Sequence, residues 1–141
     1  MNDTMTPPPG FEPWARSSPF LDLVGPVYHG ADEETFSLGL FVDERHANSR
    51  GLVHGGLMSS VADVCLGYGA ALSTDPPTRL ATVHLSIDLL GAPKLGDWLE
   101  FRVLNAKLGS RLAFADGDVR TSGGIVARTS GIFAVQTERD R

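Results

Sequence analysis

NSRGLVHGGLMSSVADVCLGYGAALS, Asn48 to Ser73, is the stretch that decides the fold. It reads as a turn, a histidine, two glycines and one long apolar helix from Gly55 to about Ala71. Leu57, Met58, Val61, Ala62, Val64, Cys65, Leu66 and Tyr68 point in all directions around the axis, and a helix that is apolar all round is buried. Gly67 and Gly69 each cost about 1 kcal/mol against alanine in a helix interior. The return expected for them is close approach of a neighbouring backbone. Ser73 to Pro77 ends the helix, because Pro76-Pro77 forbids continuation. A single ionisable residue, Asp63, stands in the middle of it.

Working outward, residues 1–16 carry Pro7-Pro8-Pro9-Gly10 and Pro13, which predicts an extended, flexible arm tacked down by Phe11 and Trp14. The domain proper is expected over 17–141. Ser18 followed by Pro19 reads as the N-cap of a short helix, Pro19 to Leu23, closed by Gly25-Pro26. Val27 to Val42 reads as strand, with Gly30 to Glu33 as a turn or bulge in front of the alternating residues. Asp43 to Arg50 has no apolar period and reads as a loop that delivers Asn48 and His54 to the helix start. After Pro77 an antiparallel meander is expected: Leu80 to Leu90, Asp97 to Lys107, Arg111 to Arg120 and Ile125 to Gln136. Its turns are Gly91 to Gly96, Leu108 to Ser110 and Ser122 to Gly124. Thr137 to Arg141 reads as a frayed charged tail. The simplest architecture is α+β, a curved antiparallel sheet wrapped around one central helix.

Bulk properties narrow the function. A chain of 141 residues is one domain with a real core. A net charge of -5 argues against nucleic acid as a general partner. Runs of about 18 apolar residues are absent, so no membrane span is expected, and the N-terminus lacks a signal-peptide pattern. The one cysteine, Cys65, fits a reducing compartment, and a cytoplasmic location is expected. Cys65 has no electropositive partner in the sequence and reads as a small hydrophobe rather than a nucleophile. His29, His46, His54 and His84 form no metal-ligand spacing, and no Gly-rich phosphate loop is present.

Asp63 is the first candidate for chemistry. A carboxylate in an apolar helix is expensive unless it is paired, hydrogen-bonded or protonated. Either it is a structural group bonded to Ser59 or Ser60 one turn back, or it is a base or nucleophile whose pKa burial raises. His54-Gly55-Gly56 is the second. At a helix N-terminus the Gly55 and Gly56 N–H groups point outward with the positive end of the dipole and can hold a developing oxyanion. The blander reading is that His54 caps or packs the turn. Gly55 and Asp63 lie eight residues apart, about 12 Å along a helix axis. One carbonyl cannot sit about 3 Å from both. Gly55 of one chain is therefore expected to serve Asp63 of another, in a symmetric dimer with two equivalent sites.

The spacing of Asn48, His54-Gly55-Gly56 and Asp63, followed by VHLSIDLLGAPKLGD, resembles the hotdog-fold acyl-CoA thioesterases of the phenylacetyl-CoA and hydroxybenzoyl-CoA type. The resemblance runs from about Ser18 to Gln136. It implies the hotdog fold, a homodimer with one continuous sheet, and assembly as a dimer of dimers. It implies Asp63 as the catalytic carboxylate and the Gly55 amide as the donor that polarises the thioester carbonyl from the partner subunit. Asn48 and His54 are implied to position water or substrate. A hydroxyl early in the next strand assists in related enzymes, and Thr82 aligns best, although alternation also allows it in an outward row with His84, Ser86 and Asp88.

An acyl-CoA substrate brings coenzyme A as part of the substrate, with no other cofactor. Its acyl pocket is expected along the helix at Gly56, Leu57, Met58 and Val61, and its phosphates at Lys107, Arg111 and Arg128, with Arg79 and Lys94 as further candidates. The competing functions are a non-catalytic acyl-CoA-binding protein of the same fold and a hydratase-type enzyme. The latter resembles a family with Asn-Pro before its histidine, whereas Asn48-Ser49 lacks the proline.

Overall fold

The computed structural model describes residues 5–31 and 34–137. The central helix, α2, spans Gly55–Ala71 as its apolar run requires. A shorter helix, α1, spans Pro19–Val24, with the Ser18 hydroxyl accepting the Leu21 N–H at 3.2 Å. Seven strands form one sheet: β1 (Phe11–Pro13), β2 (Tyr28–Gly30), β3 (Ser37–Phe41), β4 (Leu80–Leu89), β5 (Trp98–Leu108), β6 (Leu112–Thr121) and β7 (Gly124–Val135). Their order across the sheet is β1-β2-β3-β5-β6-β7-β4, antiparallel at every step. The expected sheet wrapped around one helix is present, but the expected four-strand meander is only partly so: β5, β6 and β7 follow one another across the sheet, whereas β4 pairs with β7 and β5 with β3, so the connection 91–96 is a crossover and not a hairpin turn. No helix among the described residues is long and apolar enough to cross a membrane. The expected tail, residues 137–141, lies outside the described residues except for Thr137, as does part of the expected turn at 30–33 and the start of the arm.

Two segments differ from the sequence reading. The proline-rich arm is structured from Phe11: β1 pairs with β2, and the Phe11 ring packs edge-on to Trp98 at 5.1 Å. Trp14 sits among His29, Phe36 and Tyr68, with centroid distances of 5.2–5.5 Å. Proline lacks a donor, but an edge strand needs donors on one side only, so Pro13 is tolerated there. Residues 27–42 are not one strand but two, separated by the connection before Ser37.

The core lies between α2 and the concave face of the sheet. Leu38, Leu40, Leu99, Phe101, Ala113, Val119, Ala127 and Phe133 come from the strands, and Leu57, Met58, Val61, Ala62, Cys65 and Leu66 from the helix. The helix is not buried all round, however. Ser59, Ser60, Asp63, Val64, Gly67 and Tyr68 remain half-exposed, a stripe at helical spacing. Its glycines make room for side chains rather than for backbone. A Cβ at Gly69 would come 2.5 Å from Val103 Cγ2, and one at Gly67 3.4 Å from the Phe133 ring.

β4 is the exposed edge of the sheet, and its register is interrupted. Thr82 opposes Phe133 and His84 opposes Ile132, so Val83 is an extra residue bulged out of the ladder. Beyond the bulge Leu85 opposes Gly131 and Ile87 opposes Thr129, on the face that packs against the helix. Thr82 therefore shares the helix-facing side with Leu85 and Ile87, while His84, Ser86 and Asp88 look out from the convex face. Strict alternation would have put Thr82 with the outward row.

Candidate active site

The helix start is built by a tight turn. Asn48 Oδ1 accepts the N–H groups of Arg50 (2.8 Å) and Leu52 (3.1 Å). The Asn48 backbone closes the same turn through the Leu52 carbonyl at 2.7 Å. His54 is the N-cap of α2, and its Nδ1 accepts the Gly56 N–H at 2.8 Å. The imidazole of this tautomer carries its proton on Nε2. Gly56 is thus not the free oxyanion donor expected from the sequence: its N–H is satisfied by the cap. The Gly55 N–H has no acceptor within the described residues, and it is the one donor of the pair left open.

His46 fixes this turn from below. The residue is 2% exposed; Nε2 donates to the Val24 carbonyl at 2.7 Å and Nδ1 accepts the Asp43 N–H at 2.9 Å. Its own carbonyl accepts the His54 N–H at 2.8 Å. Beside it, Arg45 donates to the Leu23 and Gly25 carbonyls, both at 2.6 Å, and to both oxygens of Asp43. Three consecutive carbonyls at the end of α1 are thereby held by the turn that leads to α2. The hydrogen bonds from Arg45 hold the Asp43 carboxyl below the ordinary carboxylate value, and Asp43 in turn raises the guanidinium.

Asp63 lies midway along the open stripe of α2. The Thr82 hydroxyl donates to its Oδ1 at 2.6 Å, across the gap between helix and edge strand. The structural alternative of a bond to Ser59 or Ser60 is not what occurs, since those hydroxyls donate to the Gly55 and Gly56 carbonyls at 3.0 and 2.8 Å. Asp63 Oδ2 has no partner within the described residues. Asp63 is not buried as the sequence suggested, because it stands at a cavity of about 450 Å³. Val64, Gly67, Tyr68, Ala71, Pro77, Leu80 and Phe133 form its walls, and Arg16, Arg79, Thr78 and Thr82 its polar lining. His54 and Gly55 do not line it.

Other expected residues fall elsewhere. Leu57 and Met58 are 8% and 2% exposed and belong to the core, as does Val61. The helix face at the cavity is instead Asp63, Val64, Gly67, Tyr68 and Ala71. Lys107 opposes Phe114, and Arg128 opposes Asp118 and Asp88, on the convex face of the sheet. Arg111 is exposed at the β5–β6 turn. No member of this basic set reaches the Asp63 cavity within the chain, whereas Arg79 does. Arg16 is not singled out by the sequence; the only signal for it is Trp14, an aromatic anchor two residues before it. The Cys65 thiol is buried and donates to the Phe101 carbonyl at 3.3 Å, and burial pushes its pKa up, the opposite of what a nucleophile needs. Among the described residues no group of three His, Cys, Asp or Glu side chains could hold a metal ion.

A helix wrapped by an antiparallel sheet defines a hotdog-fold domain, here with a hydroxyl-bonded carboxylate at an apolar-walled cavity. Comparison with known proteins agrees. The model of the thioesterase superfamily matches residues 50–127. The protein named "Putative esterase PA0474" in Pseudomonas aeruginosa is 45% identical over 130 residues, 92% of this chain and 97% of that protein. Acyl-coenzyme A thioesterase 13 of Mus musculus is 29% identical over 89 residues, 62% of this chain and 63% of that protein. Among solved structures, a mutant of the phenylacetic acid degradation protein PaaI of Thermus thermophilus superposes with a TM-score of 0.71 at 22% identity, covering 84% of this chain and 100% of that one. The chain belongs to the thioesterase superfamily and is a thioester hydrolase.

Proposed function

We propose that this protein hydrolyses acyl-CoA thioesters, releasing free acid and CoA, on small, aromatic or medium-length acyl groups. The observation that carries the reading is the Thr82–Asp63 bond at 2.6 Å at the mouth of an apolar-walled cavity. With Oδ1 held, Oδ2 is free to take a proton from water or to attack the carbonyl carbon itself. In the first course water adds to the carbonyl, the tetrahedral oxyanion collapses, and the thiolate leaves and takes up the proton. In the second the carboxylate oxygen adds to the carbonyl, the C–S bond breaks and the CoA thiolate leaves as an acyl–aspartyl anhydride forms. Water then opens the anhydride, giving the free acid and the Asp63 carboxylate, and the proton released goes to the thiolate. The developing oxyanion is received by the Gly55 N–H of the partner subunit, with His54 and Asn48 positioning the turn that presents it.

The dimer belongs to the same proposal. β4 is ten residues long and unpaired on its outer side, and Val83 and Leu89 are 61% and 52% exposed. A long apolar edge is a template for pairing with a second chain. Pairing β4 with its own copy would set the half-exposed stripes of two α2 helices side by side, bringing the partner's Gly55 toward Asp63. The convex face is then left for pairing of dimers, and Arg111 at the exposed β5–β6 turn for the CoA phosphates. A reducing cytoplasmic setting is consistent with the buried thiol. The test is thiol release from a panel of acyl-CoAs, with light scattering for the assembly. Binding without release would leave a non-catalytic acyl-CoA-binding protein, and a monomer with full turnover would remove the shared site.

A further inference from the structure

Two guanidinium groups stand at the Asp63 cavity. Arg16 and Arg79 both line it, and neither has an acceptor among the described residues. The Tyr68 ring packs against Trp14 at 5.2 Å, but its hydroxyl has no hydrogen-bond partner among them either. Trp14 pins the N-terminal segment across α2, which is how Arg16 comes to the cavity. The lining thus carries two positive charges against one carboxylate, in a chain with 12 basic and 17 acidic residues. Neither arginine forms an ion pair with Asp63, so they are not its counter-ions. The remaining wall, Val64, Ala71, Pro77, Leu80 and Phe133, is apolar.

We infer that this cavity takes an acyl group whose far end carries a carboxylate, a short dicarboxylic acyl chain, held by Arg16 and Arg79. The inference rests on the acyl-CoA reading of the site and names the acyl class within it. Arg is suited to a carboxylate by its paired donors, and a phenolic hydroxyl adds a further donor. Size separates this occupant from the other anion in the substrate, the CoA diphosphate. The cavity is a half-open cleft of about 450 Å³ that holds both arginines and Asp63 in one lining. An extended chain advances about 1.2 Å per bond, so a six-carbon diacid spans about 6 Å between its carboxyl carbons, whereas the diphosphate lies about 15 Å from the thioester sulfur. With the reacting carbonyl at Asp63, the diacid terminus falls inside the cavity and the diphosphate outside it.

The test is kcat/KM for hexanoyl-CoA and adipyl-CoA, which have equal carbon number and differ in the terminal carboxylate. The wild-type protein is expected to prefer adipyl-CoA by about 10–100-fold, the range of one or more charge-assisted hydrogen bonds. Arg16→Met and Arg79→Met are expected to bring that ratio toward one, and Arg16→Lys to restore part of it. A wild-type preference for hexanoyl-CoA overturns the inference. So does an equal loss on both substrates in the variants, which would put the arginines on the CoA phosphates or in the fold. Release from hexanoyl-CoA with no preference, or release only from other members of the acyl-CoA panel, overturns this inference alone; no release from any acyl-CoA of the panel overturns the acyl-CoA reading with it.

Discussion

Thr82 and Asp63 meet across the gap between an edge strand and the helix it flanks, the hydroxyl donating to one carboxylate oxygen at 2.6 Å and leaving the other open. That division of labour sets the first expectations. Asp63→Asn keeps the shape and the hydrogen-bonding capacity of the side chain but removes the base. Thiol release should fall by about 10²–10⁴-fold, with the circular dichroism spectrum and oligomeric state unchanged.

Thr82→Val removes the hydroxyl while keeping the branched shape that suits a strand. A hydrogen bond to a charged group is lost, and kcat should fall by about 10–100-fold. Thr82→Ser should recover most of it. Equal kcat in Thr82→Val and wild type would show that the bond orients nothing that matters to turnover.

Gly55 is the first residue of α2, a position where proline is well tolerated because its missing N–H is not needed by the helix. Gly55→Pro therefore deletes the proposed oxyanion donor with little cost to the helix. An added Cβ there would lie 3.1 Å from Leu89 Cδ1, the end of an exposed side chain that can turn away. Turnover should drop by about 10²–10³-fold. Mixing Gly55→Pro and Asp63→Asn chains, each inactive, should restore activity to about a quarter of wild type, because half of randomly paired dimers carry one intact site of two. No recovery after verified subunit exchange would place both groups in one chain.

Gly69→Ala offers a stability test with opposing terms. Alanine gains about 1 kcal/mol of helix propensity, but its methyl would meet Val103 at 2.5 Å. Overpacking of this kind costs about 1–3 kcal/mol, so the midpoint of denaturation should fall. A rise would mean that β5 yields easily at Val103.

Acid sensitivity should trace in part to Asp43. Its pKa is lowered in the folded chain, mainly by the hydrogen bonds from Arg45. The stabilisation is therefore present above the unfolded value of about 4 and is lost as pH falls through the folded value. Thermal midpoints measured from pH 6 down to pH 3 should fall less steeply for Asp43→Asn than for wild type.

Much of this is readable without coordinates. The apolar run and the double proline bound α2 at Gly55 and Ala71, and short turns pair β5, β6 and β7 in sequence, but nothing in the turn at 91–96 says that β4 crosses to the far side of β7 rather than pairing with β5. The carboxylate at Asp63 and the rise of a helix together separate it from Gly55. Other features leave no periodic trace. A helix apolar on nearly every side does not say which side faces the sheet, so residue type alone puts Leu57 and Met58 at the pocket, whereas they are core. Proline content masks β1, and with it the route by which Arg16 reaches the cavity. The cap formed by His54 Nδ1, which removes Gly56 from the available donors, depends on a rotamer rather than on residue type. Lys107 and Arg128 are basic and near the right turns, but strand parity puts them on the far face.

The extra residue at Val83 has a wider consequence. It breaks the count along β4, so the hydroxyl's position is set relative to the helix and not by parity with the apolar half of its own strand. A relative without the insertion would carry its equivalent hydroxyl one place nearer Leu85 in number while presenting it at the same point in space. Any residue-by-residue comparison across this strand must open a gap there, or it will match Thr82 to a side chain on the wrong face and read an intact site as a missing one.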